Sequence, residues 1–291
     1  MITRREFIEK SALGASLLTL PSLISGCLSE GFFQNHLKKM SREELDRAIQ
    51  RMEKKYRRAF SEQVEVRATP AQEDVLFGMA LDLSKCIGCR RCAKSCVREN
   101  NQSKDPQIEW IDVLEMKRGT LELDRGDRYY QHEAVPVKGH FYLPIQCQQC
   151  QNPPCVKVCP VKATWKEPDG VVVIDYDWCI GCRYCLAACP YGARKYNWTS
   201  PSLAANEMNP KMHYLGNRPR DKGEVEKCTF CLQRTREGRY PACVEACPTG
   251  ARKFGNLLDP ESVVRQILAE KNVFVLKPEL NTQPRFYYYF G

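Results

Sequence analysis

The 291-residue chain lacks several features by which functions announce themselves. It has no run of eighteen or more uncharged apolar residues, so no transmembrane helix is predicted. It has few histidines. His36, His132, His140 and His213 are scattered, which argues against a haem or a histidine-held metal, and each reads as a surface or core residue. No glycine-rich fingerprint follows a strand, so nothing points to a bound dinucleotide. What the chain has in excess is cysteine, seventeen in all. Their spacing must decide between disulfides, metal sites and clusters.

Sixteen of the seventeen fall into four groups. The first is Cys86, Cys89, Cys92 and Cys96, spaced C-x2-C-x2-C-x3-C. The second is Cys147, Cys150, Cys155 and Cys159, with four residues in its middle gap. The third, Cys179, Cys182, Cys185 and Cys189, is spaced like the first. The fourth, Cys228, Cys231, Cys243 and Cys247, has eleven residues in its middle gap. Proline follows Cys159, Cys189 and Cys247, whereas Val97 follows Cys96. The C-x2-C-x2-C-x3-C-P run is a signature of [4Fe–4S] binding, its fourth cysteine serving the neighbouring cluster. Three thiolates on a tight loop reach three irons of one cube. Small residues such as Gly88 and Gly181 let the backbone approach the sulfurs. A disulfide scaffold is compatible with export but fits units this regular poorly. Zinc favours CxxC pairs separated by longer loops, not three cysteines within seven residues.

The seventeenth cysteine, Cys27, closes the leader MITRREFIEKSALGASLLTLPSLISGC. Arg4 and Arg5 precede an apolar stretch over 12–24, the layout of an export signal. TRREFI resembles a twin-arginine signal, which carries folded proteins across the bacterial inner membrane. ISGC resembles a lipobox, whose cysteine is acylated and becomes the new N-terminus. The expectation is a signal peptide over 1–26 and a lipid on Cys27 that anchors the chain to the membrane surface.

After the leader, Ser41 and Glu44 read as a capping box. Leu45, Ile49, Met52, Tyr56 and Phe60 form an apolar stripe on a predicted helix over 42–60. Residues 61–76 read as a linker, so 27–77 is an N-terminal helix and linker. From 78 to 291 the chain repeats itself. ALDLSKCIGC matches VIDYDWCIGC, and CPVKAT, CPYGAR and CPTGAR match each other. Each unit is a short strand, a cysteine loop, a short helix and a Pro-led turn. Asp169-Gly170 predicts a hairpin before a strand over 171–174. Two inserts interrupt the pattern, roughly 100–145 and 197–227. Asp259-Pro260 predicts a helix start, followed by a strand NVFVL and the aromatic tail RFYYYF.

CIGCRRCAKSC, CQQCQNPPCVKVCPVKAT, CIGCRYCLAACPYGARKY and EKCTFCLQRTREGRYPACVEACPTGAR resemble the four-cluster iron–sulfur subunits of the molybdopterin (DMSO reductase) family. The resemblance covers roughly 78–290. It implies an α+β fold of two bacterial-ferredoxin-like double-cluster modules with inserted loops. One module would be built from 78–100 with 225–255 and the other from 140–196. It also implies crossed ligand sets. One cube would take Cys86, Cys89, Cys92 and Cys247, and a second Cys96, Cys228, Cys231 and Cys243. A third would take Cys147, Cys150, Cys155 and Cys189, and the last Cys159, Cys179, Cys182 and Cys185. No cysteine is replaced, so four [4Fe–4S] clusters are expected.

The implied role is electron relay, not catalysis. Tunnelling falls steeply with distance, and cubes in a row supply stations. The implied partners are a molybdopterin catalytic subunit and a quinone-reactive integral membrane subunit, at the periplasmic side of the bacterial inner membrane. The helix over 42–60 reads first as a surface helix packed on its own domain; it and the insert over 197–227 are also candidate docking surfaces. Alternatives are a hydrogenase-linked or sulfur-cycle membrane complex without molybdenum, a free multi-cluster ferredoxin, and an enzyme with an open iron. The formal charge of +9 does not argue for nucleic acid. Loss of 1–26 makes it +8, and four cubes at about −2 each contribute about −8. Lys85, Arg90, Arg91, Lys94 and Arg98 crowd the first group, where cations would raise a cluster's potential or simply face solvent. Trp165, Trp178 and Tyr184 flank the cysteine loops and are expected to shield them.

Overall fold

The computed structural model describes residues 40–60 and 64–291. The expected signal peptide, Cys27 and His36 lie outside the described residues. Packing divides the chain into two units, Met1–Asp46 and Arg47–Gly291. The described part of the first unit opens helix α1 (Arg42–Phe60), which runs on into the second. The expected capping box forms. The Ser41 N–H donates to Glu44 Oε2 at 2.8 Å, and the Glu44 N–H donates to Ser41 Oγ at 3.2 Å. Among the described residues no helix is long and apolar enough to cross a membrane.

In the second unit α1 buries Ala48, Met52 and Tyr56. Leu45, Ile49 and Phe60 are only half-buried, so the buried seam is narrower than the expected stripe. The Tyr56 hydroxyl donates to the Pro219 carbonyl at 3.2 Å, and Lys55 pairs with Asp221 at 2.5 Å. The buried part of the apolar face is therefore spent on the chain itself. The insert it rests on is buried over its second half, at Met212, His213, Tyr214, Asn217, Arg218 and Arg220, whereas most of 198–207 is exposed. The expected linker also carries structure. Strand β1 (Glu65–Arg67), with Val64 and Val66 buried, pairs in parallel with a strand inside the insert at 211–213.

The rest is organised by four antiparallel strand pairs. After the first cysteine group, β3 (Asp112–Lys117) pairs with β4 (His140–Ile145), which leads into the second group. After the second group, β5 (Thr164–Lys166) pairs with β6 (Val172–Ile174), which leads into the third. After the third, β7 (Lys195–Tyr196) precedes β8 (Lys211–His213), the insert strand that holds β1, and pairs with β9 (Val225–Glu226), which leads into the fourth. After the fourth, β10 (Arg252–Asn256) returns to pair with β2 (Phe77–Asp82), which leads into the first. Each exit strand thus pairs with the next entry strand, and the series closes on itself. The aromatic tail forms β11 (Phe286–Tyr289), which adds in parallel to the other side of β2. Flanked on both sides, β2 is buried along its whole length. Phe77 stacks on Phe254 at 5.1 Å between ring centroids, and Phe254 meets Phe230 edge-on at 5.4 Å.

The Asp169-Gly170 hairpin forms as expected, with Gly170 at φ 79. Two expectations near the C-terminus fail. The helix does not start at Asp259, because Asp259 Oδ1 accepts from the Glu261 N–H and its carbonyl from Ser262, closing a turn. Helix α7 therefore begins at Val263 (Val263–Glu270). The segment NVFVL makes a single bridge, Phe274 to Tyr288 of the edge strand β11, before a short turn opens at Pro278.

Candidate functional site

Between entry strand and exit strand, each cysteine group sits on a loop and a short helix. These are α2 (Arg91–Glu99), α3 (Pro154–Lys157), α4 (Tyr184–Ala187), α5 (Leu232–Thr235) and α6 (Ala242–Glu245). Helices α2 and α6 meet, and the Ser95 hydroxyl donates to the Ala242 carbonyl at 3.2 Å. The residue before the second cysteine of every group has positive φ: Gly88 at 72, Gln149 at 45, Gly181 at 70 and Phe230 at 54. A Cβ on Gly88 would stand 2.3 Å from the Tyr142 ring, and one on Gly181 2.2 Å from the Gly223 carbonyl oxygen. The two glycines therefore meet a need for space as well as for φ. Gln149 and Phe230 accept the left-handed strain where the other side has room, and both are fully buried. Past the Cys-Pro turn the pattern recurs, with Lys162 at 53, Gly192 at 59 and Gly250 at 63. Each donates its N–H back to the carbonyl of the cysteine three residues earlier.

These turns bring together cysteines that are remote in sequence. Cys86, Cys89 and Cys92 line one cavity with Cys247. Cys179, Cys182 and Cys185 line another with Cys159. Cys96 lies in the electrostatic reach of Cys228, Cys231 and Cys243, and Cys150 in that of Cys147, Cys155 and Cys189. No disulfide joins any of the sixteen. Among the described residues no three His, Cys, Asp or Glu converge closely enough to hold one metal ion.

Burial pushes the thiols of Cys86, Cys150 and Cys228 up to about 12, and those of Cys96 and Cys231 also well above the usual range. Such groups are protonated in the bare chain, so metal entry must release protons. Cys247 differs. Burial pushes it up, but the N–H groups of Arg252, Ala251 and Thr249 and the Thr249 hydroxyl outweigh burial and hold it below its usual value.

Of the basic residues expected around the first group, Arg90 lines the cavity of Cys86, Cys89, Cys92 and Cys247, and several are paired or open to a groove. Lys85 pairs with Asp82 at 3.2 Å, Arg90 with Glu109 at 2.9 Å, and Lys94 meets His132 at 3.1 Å. Arg91, Lys94 and Arg98 line an open groove of about 1470 Å³. Of the aromatic shields, Trp165 and Trp178 pack against cysteine-bearing clusters. Tyr184 is 62% exposed and shields nothing, because it follows a left-handed Arg183 that opens α4. None of His132, His140 and His213 lines a cysteine cavity.

The residues that do meet the sulfurs were not singled out in the sequence. Arg194 Nη2 donates to Cys155 Sγ at 3.1 Å and to Thr164 Oγ1 at 2.9 Å. Arg252 Nη1 donates to Gln146 Oε1 at 2.7 Å and stands 3.9 Å from Cys243 Sγ. Gln102 donates to Cys96 Sγ at 3.2 Å, and Asn100 donates to the same sulfur at 3.5 Å. A signal existed: Arg194 and Arg252 hold the same place in the repeats CPYGAR and CPTGAR. Arg194 Nε and Arg252 Nη2 are buried without a partner. Buried N–H groups normally have one, so these orphan donors beside thiols fit an anionic sulfur-rich group.

The comparisons agree with that chemistry. A 4Fe-4S dicluster domain family matches residues 138–221 and 211–257, and a second 4Fe-4S dicluster family matches 85–163. A selenate reductase subunit of Mesobacillus selenatarsenatis is 38% identical over 256 residues, 84% of this chain and 80% of the relative. The iron-sulfur cluster-binding subunit of menaquinone reductase from Nitratidesulfovibrio vulgaris is 38% identical, over 74% of this chain and 88% of the relative. The iron-sulfur subunit of arsenate respiratory reductase from a Shewanella species is 35% identical, over 73% and 95%. With its thiols gathered as [4Fe–4S] binding requires, the chain belongs to the iron–sulfur electron-transfer subunits of the molybdopterin oxidoreductase complexes.

Proposed function

We propose that the chain binds four [4Fe–4S] clusters as two ferredoxin-like pairs and relays electrons between a quinone-linked membrane subunit and a molybdopterin catalytic subunit. The first pair would be held by Cys86, Cys89, Cys92 and Cys247 and by Cys96, Cys228, Cys231 and Cys243. The second would be held by Cys147, Cys150, Cys155 and Cys189 and by Cys159, Cys179, Cys182 and Cys185. When bound, the clusters supply one-electron redox chemistry at potentials tuned by charge, hydrogen bonding and solvent exposure. The carrying observation is that Cys247 joins the cavity of Cys86, Cys89 and Cys92, while Cys159 joins that of Cys179, Cys182 and Cys185. In both cavities three cysteines come from one loop and the fourth from a different group, as crossed ligation demands. Strand pairs β10–β2 and β5–β6 and the contact of α2 with α6 support the two-pair arrangement.

The protein's own groups do three things. They gather the thiolates, they bring N–H donors to the sulfurs, and they keep water away from the inner sets. The partners are inferred from relatives named as subunits of selenate, arsenate and menaquinone reductases. Export through Arg4-Arg5 and a lipid on Cys27 would place the protein at the periplasmic face of the inner membrane.

Iron and sulfide analysis of anaerobically purified protein tests the count. About sixteen irons per chain are expected, and Cys247→Ser is expected to change one cluster while sparing the rest. Markedly fewer irons after full reconstitution would overturn the four-cluster reading.

A further inference from the structure

The eight buried cations among the described residues divide by partner: Arg234 lies against Glu99 and Glu245, and Arg285 is held by backbone carbonyls. Arg218, Arg220 and Arg236 lie against the carboxylates of Asp175, Glu226 and Asp169. Arg252, Lys227 and Arg194 have no carboxylate partner among the described residues. Their hydrogen bonds run to Gln146, to the carbonyls of Val172 and Cys228, and to Thr164 and a cysteine sulfur. A buried charge without a counterion is unstable, so Arg252, Lys227 and Arg194 each need an anion that the described residues do not supply.

Their positions say which anion. Arg252 lines the cavity of Cys86, Cys89, Cys92 and Cys247, yet its Nη1 stands 3.9 Å from Cys243 of the neighbouring set. Arg194 lines the cavity of Cys159, Cys179, Cys182 and Cys185, yet donates to Cys155 of the set beside it. Lys227 precedes Cys228 and donates to its carbonyl at 2.8 Å, while Cys147 and Cys155 of the next set lie within its electrostatic reach. Arg285 also approaches cysteines, but Cys147 and Cys150 belong to one set, and its hydrogen bonds go to carbonyls.

We propose that Arg252, Lys227 and Arg194 are positioning residues, one at each of the three junctions between successive clusters. Each raises the potentials of the two clusters it separates and screens their mutual repulsion when both are reduced. This rests on the four-cluster reading, and it orders the relay. The set of Cys86 is followed by that of Cys96, then that of Cys147, then that of Cys159. A cation shared by two neighbours favours an added electron on either side equally. No junction then becomes a climb merely because the next station already holds charge. Low local dielectric strengthens the effect, since water cannot screen at these sites.

The test is an EPR-monitored redox titration of the complex purified anaerobically from membranes, with signals assigned through single Cys→Ser variants. Arg252→Gln should lower the reduced-to-oxidised ratio at least tenfold at fixed potential in the two clusters it separates. For a one-electron couple that is about 59 mV. The other two clusters should stay in place. Arg194→Gln should move the opposite two, and Lys227→Gln the inner two. Arg252→Lys should restore most of the loss. Gln146→Glu offers a near-isosteric route, because it sets a carboxylate on Arg252 without removing it, and the same two potentials should fall. Unmoved potentials, or equal shifts in all four clusters, overturn the proposal. So does loss of iron in both Arg252→Gln and Gln146→Glu, which would make the residue one of assembly. A wild-type protein with fewer than sixteen irons refutes the underlying count instead.

Discussion

At the scale of the residue, His213 shows what burial does to a titrating group. The Leu215 N–H donates to its Nδ1 at 3.1 Å, and its Nε2 lies 3.1 Å from the Thr69 carbonyl, an arrangement the neutral ring satisfies. Burial lowers its pKa from 6.5 to about 4, with Arg236 adding to the effect. The unfolded chain therefore takes up the proton first. The stability tied to the neutral ring is intact above pH 6.5, declines as pH falls toward 4, and is gone below that. Between pH 7 and 5 the loss should be about 2 kcal/mol, at about 1.4 kcal/mol per unit. Urea unfolding at the two pH values should show this extra loss in the wild type and not in His213→Gln. Equal losses would remove the assignment. The same scale marks the limit of sequence reading. Gly88 and Gly181 announced their backbone need by being glycine. Gln149 and Phe230 adopt the same left-handed turn with nothing in their chemistry to say so, because strain at such a residue is compensated by surroundings built from distant segments. Arg194 and Arg252 were marked only by their shared place in CPYGAR and CPTGAR, one arginine each among many in a basic chain.

At the scale of the element, helix α1 was legible in position, while the partner of its apolar face was left open between its own domain and another subunit. Its capping box and periodicity are local and survive folding unchanged. What its apolar face meets is a long-range matter, decided by the insert that carries Pro219 and Asp221. Met52 is buried in that seam. Met52→Ala should weaken docking of the helix by about 2 kcal/mol, at the low end for a buried methionine. Hydrogen exchange of the α1 amides should then speed up roughly thirtyfold while β2 is unaffected. Unchanged exchange in α1 would mean the helix is held by something other than this seam. The late helix was misplaced for a related reason. An Asp-Pro pair suits both a helix start and a turn, and only the hydrogen bonds of Asp259 reveal that the turn won.

At the scale of the whole molecule, charge is the organising quantity. The full chain carries +9, and four clusters at about −2 each would bring it near +1, or near zero once 1–26 are lost. Metal-free protein should therefore hold to a cation-exchange resin to clearly higher salt than loaded protein, and elution at equal salt would contradict the balance. The cysteine arithmetic was legible because cluster chemistry fixes spacing within a few residues. The closure of β10 on β2 was not, since no local rule pairs strands from opposite ends of a sequence.

That closure has a consequence for how the protein is made. A ribosome delivers Cys86, Cys89 and Cys92 early, but the wall that completes their cavity arrives only with β10, after Cys247 has emerged. The cavity of Cys159, Cys179, Cys182 and Cys185 is complete in the nascent chain well before that. The middle of the polypeptide can mature during translation, while its two ends must wait for each other.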